Sequence, residues 1–168
     1  MSKAFTKEDD GSTPERLPDL QISPHPNPVT PRGLAQLQAR QKALTDRLTE
    51  LRASQELQVD TSPISVAERD LRYVEARLST AKLVLPPSSQ TTIIRFGAHV
   101  TVADEDGKTR VYHIVGDDES EPSQGMIAAH SPLALALLEA TIGDVVDWSK
   151  PGGIVELEVT DVTYDEPI

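Results

Sequence analysis

Residues 64–85 set Ile64, Ala67, Leu71, Val74, Leu78, Ala81 and Leu85 on alternating three- and four-residue steps, the spacing that lines one edge of an α-helix and makes a coiled-coil seam. Upstream, Leu34, Leu37, Leu44, Leu48 and Leu51 keep the same steps, interrupted only by Gln41. Each seam is an apolar strip that must be covered, so the two are expected to bury against each other as an antiparallel hairpin. A dimerising coiled coil would use the same pattern, and the short polar connector from Gln55 to Ser62 is what favours pairing within the chain. Thr30-Pro31 supplies a cap and a preset first helical position, and Ser62-Pro63 with the capping box Ser65-Val66-Ala67-Glu68 starts the second helix. Pro86-Pro87 marks its end. Two helices of roughly 25 and 20 residues follow, about 30–38 Å long at 1.5 Å rise per residue. The outward positions carry Arg40, Lys42, Arg47, Arg52, Arg69, Arg72 and Arg77 among acids, which reads as a solvated face.

Working outward, residues 1–29 hold five of the thirteen prolines and no sustained period, so they read as a disordered or extended lead-in. Within it, Pro24-His25-Pro26-Asn27-Pro28 reads as a semi-rigid spacer. Residues 30–87 form the hairpin and 88–168 a C-terminal domain. There, Gly97-Ala98-His99-Val100-Thr101-Val102 and Thr109-Arg110-Val111-Tyr112-His113-Ile114-Val115 alternate across an acidic turn, which predicts a β-hairpin. Gly125 to Ala129 is a third short strand. Ser131-Pro132 caps a helix through Leu133, Leu135, Leu137 and Leu138, stopped near Gly143; if the segment is no more than a helix start, Leu135 and Leu138 pack the sheet. Residues 144–149 and 154–162 make a last hairpin across Lys150-Pro151-Gly152-Gly153. The fold class is α+β: a helical hairpin followed by one helix on an antiparallel sheet of about five strands.

The 168 residues carry a net charge of -11, and the excess is local. Residues 88–168 hold four basic and fifteen acidic groups, whereas 30–87 hold nine and seven. A freestanding nucleic-acid binder is therefore excluded, because phosphates are held by clustered Lys and Arg. The absence of cysteine excludes disulfides, zinc–thiolate sites and thiol nucleophiles. No apolar run reaches membrane-spanning length, so the protein is expected to be soluble and cytoplasmic. His99, His113 and His130 have no carboxylate at ligand spacing in sequence and read as surface or packed residues, and Asp117-Asp118-Glu119-Ser120-Glu121 reads as a solvated acidic loop. There is no Gly-rich phosphate loop, nucleophile elbow or His-Glu metal helix, so the chain does not look like an enzyme acting alone.

Several strings, taken in order, resemble the Gre-type (GreA/GreB) bacterial transcription elongation factors. These are Ile114-Val115-Gly116-Asp117-Asp118-Glu119, Gly125-Met126-Ile127, Ser131-Pro132-Leu133-Ala134-Leu135-Ala136-Leu137-Leu138, Ile142-Gly143-Asp144-Val145-Val146 and Pro151-Gly152-Gly153. Lys3-Ala4-Phe5-Thr6-Lys7-Glu8 is similar to a GreB-type N-terminus. Thr30-Pro31-Arg32-Gly33-Leu34 is similar to the family's first-helix start, and Leu71-Arg72-Tyr73-Val74-Glu75-Ala76-Arg77-Leu78 to its second helix. The resemblance implies an FKBP-like C-terminal domain that docks on core RNA polymerase at the rim of its secondary channel while the hairpin enters that channel. Nucleic acid would then be met only indirectly, with no membrane partner and with a monomer expected. Ser131, Pro132, Leu133, Asp117 and Asp118 are the implied docking residues.

In the family, an acidic tip of Gly-Asp-x-Ser-Glu-Asn type helps hold a metal ion at the polymerase active centre. Here the tip reads Ser54-Gln55-Glu56-Leu57-Gln58-Val59-Asp60-Thr61-Ser62-Pro63. The hairpin is about a dozen residues shorter than the family norm, and six residues lost from each arm shorten reach by about 9 Å. Glu56 and Asp60 are the only acids available to substitute for the pair and hold Mg²⁺ jointly with polymerase. The expectation is a polymerase-binding regulator of elongation with no cofactor of its own and without the usual cleavage tip. The alternatives are an active cleavage factor using Glu56 and Asp60, a protein like the regulator of nucleoside diphosphate kinase, or an FKBP-like isomerase or chaperone. The last is disfavoured because the domain offers only Phe96, Tyr112, Trp148 and Tyr164 to line an aromatic pocket.

Overall fold

The computed structural model describes residues 14–54 and 60–166. In chain order the elements are β1 (Pro28–Val29), α1 (Pro31–Ala53), α2 (Ser62–Thr80), β2 (Lys82–Leu83), β3 (Ala98–Ala103), β4 (Thr109–Val115), β5 (Met126–Ala128), α3 (Pro132–Leu137), β6 (Val145–Lys150) and β7 (Gly153–Tyr164). They divide into two compact units. One gathers Gln38–Ser79 with the described residues up to Ile22, and the other joins Ser23–Leu37 to the chain from Thr80 onward. Among the described residues no helix is long and apolar enough to cross a membrane.

In the helical unit, α1 and α2 bury Leu48, Leu51, Ile64 and Ala67 against one another, with Leu71 packed beside them. Both seams thus meet within one chain. Across them Arg52 Nη2 reaches Glu68 Oε1 at 2.7 Å, and the Arg40 guanidinium lies 5.9 Å from the Tyr73 ring centroid. Three sequence expectations change. The helix α2 stops at Thr80, well before Pro86-Pro87, so Ala81 and Leu85 leave the seam, and Leu85 is 63% exposed. Arg77 is 1% exposed and does not join the solvated face. The lead-in is partly anchored, because Arg72 donates to the Asp19 carboxylate at 2.5 Å and to the Leu17 carbonyl at 2.8 Å.

The reason α2 ends early is the competing ladder. Lys82 N–H donates to the Asn27 carbonyl and Val84 N–H to the Val29 carbonyl, so β1 and β2 pair in parallel. Pro24-His25-Pro26-Asn27-Pro28 is therefore no free spacer at its C-terminal end. Asn27 and Val29 are buried, and Asn27 Nδ2 donates to Thr80 Oγ1 at 3.1 Å.

The remaining strands form a five-stranded sheet in the order β5-β4-β3-β7-β6. Four of them are antiparallel neighbours as expected. The edge strand β5 runs parallel to β4, because the chain crosses over through 3₁₀ turns at Asp117–Glu119 and Pro122–Gln124 before it re-enters the sheet. In β3, Ala98, Val100 and Val102 point into the core while His99 and Thr101 point the other way. β7 changes its parity: Thr101 pairs with Asp161 but Val102 pairs with Val159, leaving Thr160 as a bulge. Leu157 and Val159 before the bulge and Val162 after it are all buried. The helix α3 closes the core with Leu133, Ala134 and Leu137. Leu135 is 62% exposed and does not pack the sheet. The helix ends six residues before Gly143, since the Ile94 amide and carbonyl pair with Ala140 and Glu139 and draw the chain out of it.

Candidate functional site

Two of the strings that carried the resemblance touch each other. Thr30 Oγ1 accepts from the Gly33 amide at 2.9 Å, capping α1, and donates to Glu119 Oε2 at 2.5 Å. The Glu119 side chain is 2% exposed, and Arg32 Nε lies 3.7 Å from its Oε1. Glycine at 33 gives the carboxylate its room, because a Cβ there would stand 2.7 Å from Glu119 Oε2 and would have to displace it. Glycine at 116 has a similar cause, a Cβ there meeting the Pro28 carbonyl oxygen at 2.5 Å. The first turn of α1 is thus a built part of the C-terminal unit, and the buried carboxylate is the bolt.

The implied docking residues sit on the next layer. Ser131 accepts from the Ala134 amide at 3.3 Å and caps α3, while Pro132 is exposed. Leu133 is 4% exposed and packed in the core. It therefore positions the segment and presents no surface, which corrects its expected role in docking; the exposed apolar side chain of this helix is Leu135. Asp117 Oδ1 lies 2.9 Å from His130 Nδ1, and the His130 ring stacks on His25 with centroids 4.0 Å apart. Asp117 and Asp118 are half-buried within the first 3₁₀ turn. The acidic run is accordingly a folded turn of which Glu119 is buried, rather than a solvated loop.

At the tip, Glu56 lies outside the described residues. Asp60 is exposed, and its Oδ1 accepts from the Ser62 amide at 2.9 Å. Hydrogen bonds from Ser62 hold its carboxyl below the ordinary value of 3.8. Asp60 therefore acts locally as a cap for α2.

A further group joins residues far apart in the sequence. His99 and His113 are directly opposed on β3 and β4, their rings stacked at 3.8 Å, and His99 Nε2 lies 2.9 Å from Asp165 Oδ1. His113 is 7% exposed and its Nε2 has no hydrogen-bond partner among the described residues. Burial first, then the neighbouring His99, pushes the His113 ring down to about 4 from 6.5. The histidine pair could have been found by counting back from the 104–108 turn. Asp165 could not, because the Thr160 bulge decides its face. The groove beside the end of β7, lined by Pro87, Gln90, Ile142, Val162 and Tyr164 among others, contains a single aromatic ring, a poor match for an isomerase pocket.

Residues 89–164 match the family described as transcription elongation factor, GreA/GreB, C-terminal. The GreA elongation factor of Rhodospirillum rubrum is 32% identical over 152 residues, covering 82% of this chain and 97% of that protein. That of Alkalilimnicola ehrlichii is 40% identical over 103 residues, covering 60% of this chain and 65% of that protein. Among solved structures, GreA factor homolog 1 (Gfh1) of Thermus thermophilus is 23% identical, covering 83% of this chain and 99% of that chain, with a TM-score of 0.39. GreA/GreB from Nitrosomonas europaea is 21% identical, covering 82% and 99%, with a TM-score of 0.42.

Proposed function

The chain belongs to the GreA/GreB family of transcription elongation factors, and from that premise we propose that it docks on core RNA polymerase at the secondary channel and regulates elongation without supplying a cleavage tip. The observation that carries this reading is Asp60: its carboxylate is engaged by the Ser62 amide at the start of α2. A metal-holding tip needs carboxylate oxygens free to close on Mg²⁺ at about 2.1 Å. Asp60 has one such oxygen committed to the backbone, on a hairpin whose helices have only 23 and 19 residues. Any RNA hydrolysis in its presence would be the polymerase's own chemistry, and the factor would bring no cofactor.

Docking would use the surface around Ser131 and Pro132, with Leu135 exposed alongside and Leu133 fixing the segment from beneath. The acidity of this domain suits a basic protein surface and keeps the domain off phosphates. Access to the transcript is then through the polymerase, and a cytoplasmic location follows from that partner.

The decisive measurement is transcript cleavage in halted, backtracked elongation complexes. Binding to core polymerase is expected, with cleavage at the rate of polymerase alone and with competition against an active cleavage factor. Leu135→Asp should weaken binding about tenfold or more, as expected for an apolar anchor at an interface. Cleavage stimulated by the wild-type chain and lost in Asp60→Ala would instead establish the tip as a metal holder and overturn this reading.

A further inference from the structure

We propose that His99, His113 and Asp165 form a binding site for a borderline divalent transition-metal ion of the Zn²⁺ class, on the sheet face opposite the α3 core. Three independent features of the fold converge there. The β3–β4 register places the two imidazoles directly opposite each other. The bulge at Thr160 turns Thr163 and Asp165 onto the same face; without it, the alternation that buries Leu157 and Val159 would carry Asp165 to the core side. One ligand atom from each of the three residues lies within 4.8 Å of the other two.

The chemistry of the donors selects the ion. Tetrahedral Zn²⁺ at 2.0–2.1 Å from its ligands sets neighbouring donor atoms about 3.3 Å apart. His99 Nε2 and Asp165 Oδ1 are already 2.9 Å apart, and with all three donors within 4.8 Å of one another the set closes by drawing the His113 nitrogen inward. His113 is oriented as a metal-binding histidine usually is. Its ring is hydrogen-bonded to the Gly97 backbone while Nε2, buried, has no partner among the described residues. Two nitrogens and one carboxylate oxygen fit Zn²⁺ or Co²⁺ and do not fit the all-oxygen preference of Mg²⁺ and Ca²⁺. The Asp165 side chain is 56% exposed, which gives an entry path and leaves a fourth position for water. On binding, His99 Nε2 exchanges its hydrogen bond to Asp165 for the ion and carries its proton on Nδ1, so no redox partner or co-reactant is involved. The Arg32 charge acts on His113 against an added cation, and the Asp165 carboxylate opposes it. An ion held there would tie the end of β7 to the β3–β4 hairpin.

This site is independent of the docking reading and is tested without polymerase. The untagged full-length chain is titrated with Co²⁺, followed by the intensity of its visible d–d bands, and Zn²⁺ is measured by competition. One equivalent with tetrahedral intensity is expected, Zn²⁺ should displace Co²⁺ while excess Mg²⁺ does not, and Zn²⁺ should raise the unfolding temperature. His99→Ala and Asp165→Ala should each weaken Co²⁺ binding about tenfold or more with an unchanged circular dichroism spectrum. Because His113 is buried, His113→Gln is read only alongside those two exposed-side variants. Absence of a Co²⁺ signal, affinity unchanged in His99→Ala and Asp165→Ala, or a signal lost instead in His25→Ala or His130→Ala would each overturn the assignment.

Discussion

In the helical unit the buried apolar cluster among the described residues is Leu48, Leu51, Ile64 and Ala67, whereas in the C-terminal unit it comprises twelve side chains from β3, β4, β5, β7, α3 and Ile94. The first is a line contact between two rods, sealed at its margins by Arg52–Glu68 and by Arg40 over Tyr73. The second is a closed volume in which Ile94, Val100, Ile114, Leu137 and Val159 are fully buried. A line contact can be shortened or lengthened a turn at a time without disturbing anything else, whereas a closed core tolerates little change. That difference means a change of hairpin length leaves the C-terminal core untouched.

The contrast can be broken by substitution. Ile114→Ala should cost the C-terminal unit about 4 kcal/mol, since its site cannot collapse, whereas Leu48→Ala should cost the hairpin about 2 kcal/mol because two helices can close on the gap. Urea unfolding followed by Trp148 fluorescence for the first and by helical circular dichroism for the second would separate the two. Equal losses on both probes would mean that the units unfold as one.

A second difference is in pH response. The His113 ring is pushed down to about 4, mainly by burial, from 6.5 in the unfolded chain. The unfolded state therefore takes up the proton first. Stability from this group is complete above about pH 6.5 and is lost as pH falls toward 4, about 3 kcal/mol in all. Burial sets most of this window, and His99, Asp165 and Arg32 are the titratable and charged groups that face the ring. In chelator-treated buffer the C-terminal transition should weaken across that range and the weakening should be flatter in His113→Gln, while the helical unit, which has no histidine among its described residues, should not share it.

The smallest effect belongs to the hairpin's margin. Arg52→Ala should cost about 0.5 kcal/mol, falling further in high salt, because the guanidinium is largely solvated. A loss several times larger would show that the ion pair, rather than the leucine line, fixes the hairpin.

Much of this was legible because the signals were local and periodic. The two leucine seams, the Thr30 and Ser131 caps and the β3–β4 hairpin each follow from residues a few positions apart. The rest depends on distance. A two-residue parallel ladder such as Pro28–Val29 with Lys82–Leu83 has no period to read, and it is what shortened α2. Six helical residues, Pro132–Leu137, are too few for periodicity to tell buried Leu133 and Leu137 from exposed Leu135. Asp165 joined the histidines only through one bulged residue, and Glu119 looked like one acid among several until Thr30 met it.

That last contact also sets a timetable. Thr30 and Glu119 are 89 positions apart, so during synthesis the start of α1 leaves the ribosome long before the residue that secures it exists. At about 5–20 residues per second the wait is roughly 4–18 s, ample for helix α1 to form and close on α2 within microseconds of the latter's appearance. The C-terminal unit can be completed only around an N-terminal segment already made, and a fragment begun at residue 88 would lack both strands of the β1–β2 ladder, a cap and the partner of its buried carboxylate.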